Sequence, residues 1–222
     1  MFYALLVAVV SGVFAASVIR DYLAKRKTYH ALWSAALSMS CVAALAYAVA
    51  ARTGSEAAFK LYYLFGALLV APYTGMGSLF LALPASTARK IMWALHAVSV
   101  AGAVLLLGAS VDAEALANLA GSSGRGVLER GPWLVATIVL NVFGTVSVVG
   151  VALYSALRAW RKRADLGMMA GNLLIGAGFF LLAAAGSAAR WFPGWDGGFW
   201  VTMALGWIVA YLGFRKVTRA AA

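Results

Sequence analysis

The groups in this chain that could do chemistry are a few polar and aromatic side chains embedded in long apolar stretches. His96 lies five residues into one such stretch and Asn172 six residues into another, and either side chain is costly to bury without a hydrogen-bond partner. The other candidates, all inside apolar stretches as well, are Tyr73, Thr74, Asn141, Trp207 and Tyr211. Such residues recognise small molecules through hydrogen bonds and ring contacts, so we predict that they bind a ligand.

Acid–base and metal chemistry are not expected from this composition. No Asp, Glu, Lys or Arg lies within the apolar stretches, where an ionisable residue would mark a proton relay or an ion site. Two histidines are too few for a zinc hydrolase, and the single cysteine, Cys41, excludes an internal disulfide and a cysteine-ligated metal. The last apolar stretch offers no lysine for a retinal Schiff base. The sequence therefore predicts no metal and no cofactor, and it favours a function other than catalysis.

The candidates are carried by seven apolar stretches, each long enough to cross a bilayer, which takes about 20 residues per helix. The chain is 64% hydrophobic and only 11% charged, with a mean hydropathy of +0.89, whereas soluble domains carry about a quarter charged residues. We predict one all-α integral membrane domain over residues 1–222. Spans 1 to 7 cover residues 2–19, 31–51, 61–84, 91–110, 133–157, 166–189 and 198–214.

Basic residues are concentrated on one side of the predicted spans. The segments 20–30, 85–90, 158–165 and 215–222 contain 13 of the 18 Lys and Arg residues but only two of the seven acidic ones. The positive-inside rule makes this side cytoplasmic, with the N-terminus outside and the C-terminus inside. The net charge of +11 then reflects membrane orientation and not nucleic-acid binding. We expect the protein in the plasma or inner membrane of a prokaryote.

Residues 111–132 form the longest loop between the spans. Asp112 is placed to cap a short interfacial helix, whose first turn also carries Glu114. The GSSGRG sequence that follows is typical of a flexible linker.

Span 3 contains a helix-breaking signal near its middle. Pro72 lacks a backbone N–H, so we expect the Leu68 carbonyl to lose its helical donor and the helix to kink. The kink should turn the next two residues, a tyrosine and a threonine, toward the bundle, where they would face His96, Asn172 and Tyr211. Freed carbonyls are tolerated in lipid only beside other helices or water. We therefore predict a cavity in the cytoplasmic half of the membrane, lined by these side chains and reached from the basic side.

The spans also show signs of duplication. A shift of 138 residues aligns spans 1–3 with spans 5–7 without a gap, which would make span 4 a linker between two parallel repeats, residues 2–84 and 140–222. Under this shift Tyr73 aligns with Tyr211, although the 12 identities over 83 positions are close to the number that chance gives in so apolar a chain. The 3+1+3 arrangement resembles that of small-sugar carriers of the SWEET type, whose Pro-Gln signature is absent here.

Two functions fit these features best. The first is a small-solute carrier or permease that moves a neutral or amphipathic solute by facilitated diffusion, because no carboxylate within the spans could couple transport to protons. The alternative is a non-transporting sensor, or an accessory subunit packed against a larger membrane protein; a lipid-modifying enzyme is a third. The expected partners are the lipid bilayer, a small-molecule ligand, and a second copy of the chain or another membrane protein. A central cavity open to one side would favour the carrier, and an apolar groove facing lipid the accessory subunit.

Overall fold

A computed structural model describes residues 2–163, 165–191 and 197–220 of the chain, the side chains of residues 187–191 excepted. All seven predicted spans are confirmed as helices that are long and apolar enough to cross a membrane. Spans 1 to 7 are the helices Phe2–Lys25, Thr28–Thr53, Glu56–Ala82, Ala85–Leu107, Pro132–Arg161, Leu166–Trp191 and Gly198–Ala220. Most helices extend beyond their apolar stretch, because Lys and Arg are good helix formers and continue the backbone ladder past the hydrocarbon. The predicted second repeat, 140–222, includes residues outside this description.

Six of the spans form a closed ring. Its order is 1, 2, 3, 5, 6, 7, and each span packs against its two neighbours in the ring, span 7 closing on span 1. Span 4 packs against spans 3 and 5 and is largely exposed, with Val100 and Val104 64% and 66% accessible. The interior of the bundle is therefore built by the ring, and span 4 lies at its edge.

The helix ends that carry the basic segments meet at one end of the bundle, which we call the basic face. Tyr29 near the start of span 2, Leu81 near the end of span 3, and Thr218 near the end of span 7 surround one cavity. This grouping places the basic residues that flank spans 1, 2, 3 and 7 around a common opening. Which compartment the basic face borders stays a prediction. We call the other end of the bundle the opposite face.

Span 3 departs from α-helix geometry one turn before Pro72. Residues Tyr63–Leu69 are π-helical, and the α-helix then resumes at Val70 and continues through Pro72. The Ala67 carbonyl, whose donor in the π-helical i→i+5 register would be residue 72, accepts the side-chain amide of Asn141 of span 5 at 2.6 Å. The interruption thus precedes the proline, and a neighbouring span satisfies the freed carbonyl, as a membrane helix requires.

Glycines bring spans 3 and 5 together at this point. A Cβ on Gly75 would lie 2.7 Å from the Cα of Gly144, and a Cβ on Gly144 would overlap the backbone of Ala71 and Pro72. Small residues allow such close approach between membrane helices. Asn141 lies one turn from Gly144 on the same helix face, so the close approach of the two helices also places the Asn141 amide against span 3.

The loop between spans 4 and 5 is folded onto the end of the bundle at the opposite face. Its two ends are paired, with the Asp112 N–H donating to the Val127 carbonyl at 2.8 Å and the Glu129 N–H to the Ser110 carbonyl at 3.1 Å. The predicted short helix is confirmed as Ala113–Ala117, with Asp112 as its cap. The interpretation of GSSGRG as a flexible linker is wrong, because carbonyls of this segment accept hydrogen bonds from spans 2, 3 and 7.

Candidate functional site

The centre of the ring contains a cavity of about 480 Å³ that opens at the basic face. All six ring spans contribute side chains to its wall. Its volume lies in the range of small-molecule sites, roughly 300–1,000 Å³. The wall is mostly apolar, with Val148, Ile175 and Phe214 among its residues. A cavity of this kind can hold a small solute within the membrane-spanning part of the protein.

The mouth of the cavity is polar. Asp21, Lys25, Tyr29 and Thr218 line it. The helix of span 1 runs to Lys25, so two charged residues that the sequence assigned to a loop belong to this wall. The Lys25 Nζ lies 3.8 Å from the Asp21 carboxylate, whose side chain is only 19% exposed. The two charges therefore offset each other at the entrance.

The wall also contains four further polar or aromatic side chains: His30, next to Tyr29, and Trp33, Ser78 and Asn172. His30 and Trp33 are 7% and 8% exposed, and within the described residues neither His30 Nδ1 nor Trp33 Nε1 has a hydrogen-bond partner. The Trp33 ring lies directly on Gly77, where any side chain would overlap it. These groups supply hydrogen-bonding capacity and a flat ring surface inside the cavity.

Beneath the cavity, four rings from four spans make a closed set that we call the aromatic quartet. Phe14, Trp33, Phe179 and Trp207 contact each other in this order, with ring centroids 5.6–6.4 Å apart, distances at which aromatic pairs attract. Phe14 and Trp207 are fully buried. Both lie near the middle of their helices. The quartet therefore closes the cavity at about the centre of the bundle.

A second closure lies at the opposite face, where residues 119–124 of the loop cover the ring; we call this segment the plug. Donors from spans 2 and 7 hold its carbonyls. The Tyr47 hydroxyl shares its hydrogen between the Leu119 and Ser122 carbonyls at 3.1 and 2.9 Å, and the Trp200 indole donates to the Ser122 carbonyl at 3.0 Å. The Tyr47 hydroxyl also accepts from the Gly121 N–H at 3.0 Å. The plug is thus fastened to spans 2 and 7 through its backbone.

Span 3 adds two further tyrosines to this closure. Tyr62 donates to the Ser123 carbonyl at 3.0 Å and Tyr63 to the Gly124 carbonyl at 3.2 Å. The rings of Tyr62, Tyr47 and Trp200 also contact each other, with centroids 4.3–5.9 Å apart. The plug therefore rests on a layer of aromatic rings, and a solute in the cavity is separated from the opposite face by the quartet and the plug.

Of the predicted ligand-binding residues, Asn172 and Trp207 belong to this site. Asn172 lines the cavity and donates to the Met168 carbonyl of its own helix at 2.8 Å. Trp207 belongs to the quartet beneath, and no described residue accepts from its indole N–H.

The other predicted residues lie at helix–helix contacts around the ring. Tyr73 and His96 meet between spans 3 and 4, with ring centroids 5.4 Å apart, and His96 Nδ1 donates to the Met92 carbonyl at 2.7 Å. Thr74 is buried and donates to the Val70 carbonyl of its own helix at 2.6 Å. Span 3 thus directs Tyr73 toward span 4, outside the ring, and the structure does not bring it to Asn172.

Two more candidates are likewise held at contacts between spans. The Tyr211 hydroxyl lies 3.4 Å from the Ser17 hydroxyl of span 1 and accepts from Arg215 at 3.1 Å. The side-chain amide of Asn141 donates to the Ala67 carbonyl and, at 2.8 Å, to the Thr137 carbonyl. The cavity is therefore in the predicted half of the bundle, but it is lined by a different set of side chains; a ligand-binding role for the predicted residues stays a prediction.

The sequence reasoning missed His30, Trp33 and Ser78. It placed His30 at the start of a helix at the interface, which agrees with a span 2 that begins at Thr28, but it did not foresee that the side chain faces the inside of the ring. The spacing of His30 and Trp33, three residues apart and so on one helix face, was the available signal. It was weak, because span 2 is apolar on every side and its pattern does not mark an inner face.

Comparison with known proteins adds no family to this description. No protein-family model, curated protein or solved structure matches the chain.

Proposed function

We propose that this protein is a small-solute carrier that moves a neutral or amphipathic solute across the membrane by facilitated diffusion. The observation that supports it is the cavity at the centre of the ring, which opens at the basic face and is closed toward the opposite face by the quartet and the plug. A carrier needs a central site that is reached from one face at a time. In this proposal the described conformation is the one open to the basic face.

The character of the wall supports a solute without net charge. Asp21 and Lys25 are the two oppositely charged residues of the wall, and they lie beside each other. A buried ligand charge would have no free countercharge there, and an unpaired buried charge is costly. Apolar side chains along most of the wall and hydrogen-bonding groups inside the cavity match an amphipathic molecule.

In this proposal the plug is the gate at the opposite face. Six hydrogen bonds join it to spans 2, 3 and 7. Each contributes about 0.5–1.5 kcal/mol, so releasing all of them costs roughly 3–9 kcal/mol. The released state is therefore a minor one, and the gate is closed most of the time.

We place the basic face in the cytoplasm, following the positive-inside rule, and we retain the 3+1+3 duplication. Two features support the duplication. Tyr62 and Trp200, which the shift of 138 residues aligns, both donate to carbonyls of the plug. In addition, Arg26 and Arg163 both adopt left-handed conformations, in the turns after spans 1 and 5. The shift of 138 residues brings Arg26 within one position of Arg163.

The test is whether the interior is reached alternately from the two faces. Cys41, the only cysteine, is replaced by serine, and single cysteines are introduced as Ser78→Cys in the cavity wall and as Ala204→Cys. Ala204 is buried on the helix face that joins Trp200 to Trp207, between plug and quartet. An impermeant thiol reagent should label Ser78→Cys from the basic face and Ala204→Cys, slowly, from the opposite face.

The matched control is Ala43→Cys. Ala43 is also buried in the half of the bundle toward the opposite face, but it packs against Gly66 of span 3. It should resist the reagent from both faces. If Ser78→Cys is labelled and Ala204→Cys is as inert as the control, the gate does not open. The cavity would then belong to a sensor or an accessory subunit, and the carrier proposal would be wrong.

A further inference from the structure

A second hollow lies at the basic face, outside the ring. It has a volume of about 340 Å³ and is lined by Trp160 and Arg163 from the end of span 5 and by Leu166 and Met169 from the start of span 6. Trp160 and Leu166 are 64% and 74% exposed. Large apolar side chains this exposed at the end of a membrane helix face the lipid of the interface, where tryptophan is enriched.

The turn beside the hollow is strongly basic. Arg158, Arg161, Lys162 and Arg163 fall within six residues, and among the described residues none of them forms an ion pair. The nearby carboxylate of Asp165 accepts the N–H of Gly167 at the start of span 6. Among the described residues, the positive charge of this turn is therefore not neutralised, and the exposed side chains can reach an anionic group.

The backbone of Arg163 is strained in the same turn. Its φ of +50° is a left-handed conformation, which costs a residue other than Gly about 1–2 kcal/mol. Gly or Asn would fit this position with less strain. Arg26 has the same left-handed conformation, so the feature that distinguishes Arg163 is that its side chain lines the hollow.

We propose that this hollow binds the headgroup of an anionic phospholipid from the leaflet at the basic face. Arg163 would hold the phosphate, since a guanidinium matches its oxygens with paired hydrogen bonds. Trp160 would lie at the glycerol level, and Leu166 and Met169 would contact the upper acyl chain. Basic pockets between membrane helices bind anionic lipid headgroups in this way. The site is separate from the central cavity and does not depend on a transport function.

The experiment measures lipid binding to the purified full chain in detergent by native mass spectrometry. The probes are phosphatidylglycerol and phosphatidylcholine with identical acyl chains. Arg163→Asn removes the charge and keeps a residue that tolerates the left-handed conformation. We expect the unaltered protein to prefer phosphatidylglycerol, and Arg163→Asn to weaken that binding about fivefold, which corresponds to about 1 kcal/mol for one basic residue near the surface. Arg163→Lys keeps the charge but not the paired hydrogen bonds, so it should bind phosphatidylglycerol more tightly than Arg163→Asn and less tightly than the unaltered protein.

The matched control is Arg26→Asn. Arg26 is exposed, lies at the basic face and has the same left-handed backbone, with a φ of +51°, but it does not line the hollow. If both Asn variants weaken phosphatidylglycerol binding equally, the effect is diffuse surface charge and the site is refuted. Equal binding of the two lipids by the unaltered protein refutes it as well. Displacement of phosphatidylglycerol by an equimolar amount of water-soluble glycerol phosphate would mean a site for free phosphate esters, and the lipid assignment would be wrong.

Discussion

The hydroxyl of Tyr47 is the single group whose removal should most affect the closure at the opposite face. Its single hydrogen is shared between the Leu119 and Ser122 carbonyls, and its oxygen accepts from the Gly121 N–H. Tyr47→Phe removes these bonds but keeps the ring, whose centroid lies 4.3 Å from that of Trp200. The substitution therefore removes hydrogen bonds to the plug but leaves the packing of the aromatic rings below it unchanged.

The size of the effect follows from the groups left without a partner. Losing one side of a buried hydrogen bond costs about 1–3 kcal/mol, and here the cost falls on the closed state, in which the plug is fastened. Because 1.4 kcal/mol is tenfold in an equilibrium constant, the equilibrium constant for opening the plug should rise roughly 5- to 150-fold. Ala204→Cys, which lies behind the plug, should react faster with the impermeant reagent from the opposite face by the same factor.

The assay compares labelling rates in the Cys41→Ser, Ala204→Cys background with and without Tyr47→Phe. Tyr154→Phe is the matched control, since Tyr154 is 56% exposed on span 5 and its hydroxyl makes no hydrogen bond within the described residues. A rate that changes less than twofold while the melting temperature falls would show that the plug is a structural cap. A gate at this position would then be refuted.

Two further predictions concern span 3 and the orientation. Asn141→Leu should lower the stability of the detergent-solubilised protein by about 1–2 kcal/mol, because the Ala67 carbonyl loses its donor. In a Pro72→Ala background residue 72 regains an N–H, so the same substitution should cost less stability. An equal loss in both backgrounds contradicts this account. For the orientation, an impermeant thiol reagent added to intact cells should label Arg125→Cys at the opposite face but not Lys162→Cys at the basic face, in the Cys41→Ser background; the reverse pattern would invert the topology.

Several features were predictable because each depends on a single helix or a single loop. The seven spans follow from the length and hydropathy of each stretch. The loop helix follows from the capping residue Asp112. The disturbance in span 3 was also expected from Pro72, but its place was not. The π-helical turn at Tyr63–Leu69 places the interruption before the proline. There the Asn141 amide donates to the Ala67 carbonyl.

The composition of the site was less predictable, because polar residues at one depth need not face one cavity. His96 and Asn172 were grouped by their distance from the basic face. The structure turns His96 toward Tyr73 between spans 3 and 4, whereas Asn172 faces the centre of the ring. The depth of a side chain in the membrane follows from its position along the helix. The direction in which that side chain points depends on which helices pack against its own.

The sequence by itself determines how many helices cross the membrane and which of their ends carry the positive charge, since in lipid each helix must satisfy its own backbone and exclude charge from its apolar length. Only the tertiary structure decides that spans 3 and 5 are neighbours, that span 4 lies outside the ring, and that His30 and Trp33 line its cavity. The physical reason is that a helix that is apolar on all sides has no polar face to turn toward water, so its hydrophobic pattern does not indicate which face points into the bundle. Direction comes instead from close packing at positions such as Gly75 and Gly144, and from hydrogen bonds that join residues 74 or 75 positions apart, as at Asn141 and Tyr47.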